Sequence, residues 1–234
     1  MQDFDFYFNI IQGLVFFLIF LFSILIARTI YRKDPSFIIN KSFSLGLIIL
    51  GSTYLFSFAG NLIVFIQNEG NVFFIRTAYF LAPIAFMFFY NSALGIYKGI
   101  ENMYSKPKIV FFSIIFTLNF VLIYVFNGVY LNPNNSLDSK TTTEFKIIVL
   151  GLIFILYLFI FYFFWKSYGQ VDQDTKKNIS WFLKGWLIGG IGLSSVVASD
   201  FFRLLDLFGP IIVCFGMYII SKGFTSQAPQ KSNA

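Results

Sequence analysis

Histidine is absent from this chain and cysteine occurs once, as Cys214. Without histidine, the usual proton shuttle and the commonest metal ligand are both missing. A lone cysteine closes no disulfide within the chain and supplies no thiolate metal set. Charge is scarce too, with Asp, Glu, Lys and Arg making up 12% of 234 residues. No carboxylate falls in the middle of an apolar run, where a proton pump would need one. What fills the chain is hydrocarbon: 57% hydrophobic residues, 35 Phe and a mean hydropathy of +0.75. That composition cannot furnish an aqueous surface, and it predicts an integral membrane protein in contact with the lipid bilayer. The net charge of +6 then reads as membrane topology rather than nucleic-acid binding.

Seven stretches reach the roughly 20 apolar residues that a crossing needs. They are 9–31, 42–66, 72–97, 108–129, 145–168, 180–200 and 204–222. The fold class expected is therefore all-α integral membrane, a seven-transmembrane-helix bundle forming a single domain over 1–224. A polar tail at 225–234 is expected to be disordered. The last two spans are interrupted by Asp200, Arg203 and Asp206, so a single re-entrant segment competes with two crossings there. Met1–Asn9 has two Asp and no Lys or Arg, the reverse of a signal peptide's basic start, and the first run reads as a retained span.

Loop charge orients the spans. Arg28, Arg32, Lys33 and Lys41 flank the first connection, and Lys98, Lys106 and Lys108 the third. Lys166, Lys176, Lys177 and Lys184 surround the fifth, while Lys222 and Lys231 follow the last span. The opposite side has only Arg76, Lys140, Lys146 and Arg203. Cytoplasmic loops collect Lys and Arg, which predicts a multi-pass protein of the cell membrane with its N-terminus outside and its C-terminus cytoplasmic. The longest loop, 130–144, is then external and has the Asn, Pro and Ser chemistry of a solvated connection. Asn134-Asn135-Ser136 is a glycosylation triplet on the permitted side.

Spans two and three resemble spans six and seven. An offset of 139 pairs Phe43 with Phe182, Gly46 with Gly185, Ile49 with Ile188, Gly51 with Gly190 and Asn61 with Asp200. An offset of 127 pairs Pro83 with Pro210, and each unit ends in Lys-Gly, at Lys98-Gly99 and Lys222-Gly223. The layout expected is a parallel 3+1+3 repeat, 9–99 and 145–223, joined by a linker helix at 108–129. Convergence of Phe- and Gly-rich spans is the competing account.

Within the spans, Gly185 and Gly189 have the spacing of close helix packing, and Asn91 and Asn119 are placed for interhelical hydrogen bonds. At the external end, Tyr54, Ser57 and Asn61 share one face of the second helix, and Arg76, Tyr79 and Pro83 one face of the third. Asp200, Arg203 and Asp206 occupy the matching corner of the second triplet. If the triplets face each other, Tyr54, Asn61, Arg76, Tyr79, Asp200, Arg203 and Asp206 line an outward-opening cavity for a small polar ligand. The other account of Asp200, Arg203 and Asp206 is a pair of i, i+3 ion pairs tying a turn.

No cofactor or metal is expected, nor an enzyme. A retinal Schiff base needs a central lysine in the seventh helix, where Lys222 lies at the end. Lys184 stands roughly 15 Å along the helix from Ser194 and Ser195, too far for a dyad.

The sixth–seventh unit reads Gly-Trp-Leu-Ile-Gly-Gly-Ile-Gly from Gly185, Asp200, Leu-Phe-Gly-Pro from Leu207 and Ile-Ser-Lys-Gly from Ile220. With seven spans and an external N-terminus, it resembles the seven-helix sensor modules that precede histidine kinases and related signalling domains in bacteria and archaea. The resemblance implies detection of a ligand or membrane state and signalling to the cytoplasm. The chain departs from the pattern by ending ten residues after Phe224, so a separate cytoplasmic partner is expected to receive the signal. Two other functions remain open. The 3+1+3 layout is similar to that of small sugar transporters of the SWEET type, although the proline-glutamine corner is missing. The exposed Phe-rich faces also suit a subunit of a larger membrane complex or an oligomer.

Overall fold

The computed structural model describes residues 2–67, 72–132, 135–197 and 204–225. Seven long helices account for nearly all of them. We label these α1 (Gln2–Lys33), α2 (Ile38–Gln67), α3 (Val72–Lys98), α4 (Lys106–Val125), α5 (Thr143–Tyr168), α6 (Gln173–Val197) and α7 (Leu205–Thr225). Short π-helical stretches close α4 at Val121–Val125 and interrupt α5 at Lys146–Leu150. All of these except α6 contain a span long and apolar enough to cross a membrane. The protein is an all-α, multi-pass membrane bundle.

The helices stand side by side and alternate in direction. Lateral contacts run α1–α2–α3–α5–α6–α7 and close back from α7 onto α1, with α4 outside this ring against α3. Each partner pair fixes a direction. In α1 and α2, Phe17 meets Phe58 while Ser44 Oγ donates to Ala27 O, so the two are antiparallel. Phe80 meets Phe116 while Tyr90 meets Phe112, which makes α4 antiparallel to α3. Two seams are parallel instead. Along α3 and α5, Tyr79 lies edge-on to Phe145 and Tyr97 stacks on Phe163 at 5.6 Å. Along α1 and α7, Phe22 meets Tyr218 and Lys33 Nζ donates to Phe224 O near the shared end.

The α6–α7 pair packs most extensively of all. A Cβ added at Gly185 would fall 2.5 Å from the Gly216 carbonyl oxygen, and one at Gly192 would fall 2.7 Å from that of Gly209. Bare backbone against backbone is how helices approach in lipid, where no hydrophobic effect drives them together. Around the ring axis, toward the end that holds Lys33 and Phe224, aromatic side chains interlock. Phe43 contacts Phe89 and Phe224 at 4.9 and 4.7 Å, Phe164 stacks on Phe182 at 5.0 Å, and Trp186 reaches Phe86, Phe89 and Phe164.

The connections sort by charge. Lys33, Lys41, Lys98, Lys106, Lys166 and Lys176 gather at the end where α1, α3, α5 and α7 finish. The opposite end has a hairpin rather than the open loop expected: Val129–Asn132 (β1) pairs antiparallel with Asn135–Thr141 (β2). We call these the basic end and the hairpin end. Asn134, the acceptor of the expected glycosylation triplet, and the tail beyond Thr225 lie outside the described residues.

Candidate functional site

Among the described residues of the expected cavity, Arg76 and Tyr79 make their contacts on the α3 side and Asn61 on the α1–α2 side. Asp200 and Arg203 lie outside the described residues, and Asp206 sits in the first turn of α7.

On the α3 side, Arg76 is committed to the hairpin. Its Nε donates to Val129 O at 2.8 Å and a terminal nitrogen to Asn127 Oδ1 at 2.7 Å. Asn127 has φ +50, the left-handed region that asparagine tolerates better than most residues. Arg76 therefore fixes the turn between α4 and β1. Next to it, the Thr77 and Tyr124 hydroxyls lie 3.3 Å apart, and the Tyr79 ring packs on Phe145 at 5.4 Å. These contacts position a loop.

On the α1–α2 side the arrangement differs. Asn61 Nδ2 donates to Gln12 Oε1 at 3.3 Å. One turn before Gln12, Asn9 is 8% exposed, and its Nδ2 has no partner. Asn9 and Asn61 line a crevice of about 140 Å³ whose other walls include Gly13, Phe58, Leu62 and Phe65. Gly13 lets the helices close up here: a Cβ on it would sit 3.3 Å from Asn61 Cβ. Tyr54, two turns deeper on α2, packs its ring on Phe16 at 5.7 Å. Of the expected site residues that are described, Asn61 alone is among the walls of this crevice.

A larger cavity of about 520 Å³ opens between α5, α6 and the start of α7. Tyr157, Leu187, Gly190, Ile191, Ser194 and Leu205 are among its walls. Its floor is a reciprocal clasp: the Tyr157 hydroxyl donates to Trp186 O, Trp186 Nε1 donates to Tyr157 O at 3.1 Å, and the rings stack at 5.2 Å. Gly190 makes room for the Tyr157 ring. Ser195 Oγ is turned back onto Ile191 O at 2.9 Å, which leaves this cavity mostly apolar.

Asn9 and Gln12 were legible as polar positions three apart on one face of an otherwise apolar helix, yet nothing in the sequence paired them with Asn61. Among the described residues no three His, Cys, Asp or Glu come together to hold a metal ion. The α1–α2 crevice has no ionisable group among its walls and presents an almost wholly apolar surface, since Asn9 Nδ2 is shielded and Asn61 Nδ2 is engaged by Gln12. The sequence matches no protein-family model and no curated protein.

Proposed function

We propose that this chain is a seven-span, receptor-like sensory membrane protein, with its N-terminus outside and its C-terminus cytoplasmic. It binds a small ligand at the hairpin end and signals through the basic end to a separate cytoplasmic partner. The observation that carries this reading is the aromatic packing of Phe43, Phe89, Phe164, Phe182, Trp186 and Phe224. It fills the ring axis near the basic end, where a transporter needs a polar route, and it joins α2, α3, α5, α6 and α7 into one unit. A shift begun at the hairpin end would thus be felt by α3, α5 and α7, which finish at the basic end.

The seventh crossing is supported by α6 itself. Its 25 residues extend about 37 Å, and it lies antiparallel between α5 and α7. Clustering of lysine at the basic end supports the orientation.

The transporter reading is favoured by one observation, the likeness of the two triplets. Gly46 and Gly185 both abut the following helix, at Phe89 and Gly216. Gly51 and Gly190 both abut the preceding one, at Ser23 and Tyr157. Under a 3+1+3 repeat the two parallel seams are equivalent, and α4 is the linker left outside the ring. Reconstitution separates the two functions. Proteoliposomes offered labelled sugars, amino acids and organic anions are expected to show saturable binding without uptake. Uptake that dissipates with an imposed gradient would overturn the receptor reading in favour of transport.

A further inference from the structure

We propose that the outer groove between α6 and α7, toward the basic end, holds the phosphate headgroup of an anionic phospholipid between Lys184, Lys222 and Trp181. Such a site stands whether the protein senses or transports.

The position of Lys184 is the first observation. Lys177, Lys184, Leu187 and Ile191 are exposed on α6 and recur at the spacing of one helix face. Leu187 and Ile191, 54% and 60% exposed, suit contact with acyl chains. Lys184 therefore turns an ammonium toward lipid. Helix register gives its depth. A Cβ on Gly223 would sit 2.9 Å from Asn178 O, and one on Gly185 would sit 2.5 Å from Gly216 O. Lys184 is thus level with Met217. The span in α7 closes at Phe224, so the Lys184 backbone lies about 10 Å inside that end and Lys222 about 3 Å.

A charge at that depth is costly, and a long stem relieves the cost by climbing toward the headgroups. Trp181, one turn nearer the basic end, marks where it climbs. Lys184 Nζ lies 5.3 Å from the Trp181 ring centre and Lys222 Nζ 5.5 Å from it, while Lys222 Nζ is also 4.9 Å from the Tyr218 ring. Two helices thus bring two ammoniums to one indole, at the level where Trp and Tyr settle in a bilayer. Being so close to one ring, the two cations stand within about one Debye length of each other, with less screening beside hydrocarbon than in salt water. Snorkelling accounts for each lysine singly, but not for gathering like charges. The acidic residues of these helices stand apart from Lys184: Asp174 is ten residues earlier, and Asp206 is in the first turn of α7 at the hairpin end. A lipid phosphate supplies counter-charge at this level. A zwitterionic headgroup carries its own cation, so a net anionic lipid complements the pair better.

The test uses tryptophan fluorescence of the full chain in phosphatidylcholine vesicles. Trp165→Phe removes the exposed indole of α5, and Trp186 is only 6% exposed, so quenching by lipid reports Trp181. Phosphatidylglycerol brominated on its acyl chains near the headgroup is expected to quench at about tenfold lower mole fraction than phosphatidylcholine brominated alike. Lys184→Gln should cut that preference to about threefold, and Lys184→Gln with Lys222→Gln should abolish it. Lys98→Gln with Lys166→Gln removes the same charge from other helices at the basic end and should leave the preference intact. Lys184 is exposed, so Lys184→Gln alone decides the matter if the paired variant fails to fold. Equal quenching by the two lipids, or a preference that survives Lys184→Gln unchanged, would overturn the proposal. An equal loss on replacing Lys98 and Lys166 would also overturn it, because the preference would then come from diffuse surface charge.

Discussion

The ammonium of Lys33, in the last turn of α1, donates a hydrogen bond to the backbone carbonyl of Phe224, in the last turn of α7. The final carbonyls of a helix have no partner within it, and a cation there also meets the negative end of the helix dipole. The contact joins the first and last helices of the bundle at one face and closes the ring. Replacing Lys33 by Met keeps the aliphatic stem and removes the donor. The expected loss is about 0.5–1.5 kcal/mol, read as a lower melting temperature in detergent. An unchanged melting temperature would mean that water caps Phe224 equally well.

The same relationship places Ser36, just after Lys33, at the opposite end of the bundle from Asn135. With Cys214 replaced by Ser, a single cysteine can be put at either position. A membrane-impermeant maleimide applied to intact cells is expected to label Asn135→Cys and to leave Ser36→Cys untouched until the membrane is opened. Labelling of both from outside would contradict the proposed topology.

Most of this bundle could be read from the sequence because spanning helices are fixed by length and hydropathy, and both are local properties. The expected spans 72–97 and 145–168 fall within one or two residues of α3 and α5. Other features depend on distant partners. The segment Asn135–Thr141 has Leu137 as its single apolar residue and no two-residue apolar alternation, so nothing local marked it as a strand. Arg76 was visible as a lone cation at a helix start, but its target exists only after the hairpin folds back onto α3. Asn61 was legible because it is polar in an apolar helix. Its neighbours Gln12 and Asn9 come from a helix 49 residues earlier, and no spacing rule connects them.

Glycine 185 and glycine 189 look alike in sequence and differ in structure. A Cβ at Gly185 would fall 2.5 Å from Gly216 O and 2.7 Å from Ile220 N, both backbone atoms that cannot turn aside. One at Gly189 meets nothing within 4 Å. Gly185→Ala must push α6 and α7 apart and is expected to cost about 1–3 kcal/mol. Gly189→Ala should be neutral, or stabilise by up to about 1 kcal/mol through helix propensity. Paired melting curves in one detergent decide this, and equal effects would refute the crossing geometry.

Arg76 is expected to hold the hairpin rather than a ligand. Arg76→Ala removes hydrogen bonds to Val129 O and Asn127 Oδ1, worth roughly 1–3 kcal/mol together for a charged donor partly open to solvent. Hydrogen exchange should quicken across residues 127–141 while α1 and α2 stay protected. Unchanged exchange over 127–141 would mean that Arg76 does not hold the hairpin.

Asp34 gives the α1–α2 connection a pH dependence whose sign can be worked out. Its carboxylate accepts hydrogen bonds from Ser36 Oγ at 2.6 Å and from the backbone N–H groups of Ser36 and Phe37 at 3.0 and 3.1 Å. These bonds, led by the Ser36 hydroxyl and aided by the charge of Lys41, hold its pKa below the ordinary carboxylate value. A depressed folded-state pKa means that the stabilisation is complete above the unfolded pKa and is lost as pH falls through the folded one. Protection of the Ser36 and Phe37 amides, corrected for intrinsic exchange, should hold from neutral pH to about pH 5 and fall away below about pH 4. Asp34→Asn keeps an acceptor for the turn but carries no charge, so its protection should be flat over that range. Asp34→Ala should lose protection at every pH. A wild-type profile as flat as that of Asp34→Asn would mean that the carboxylate charge does not hold the turn that starts α2.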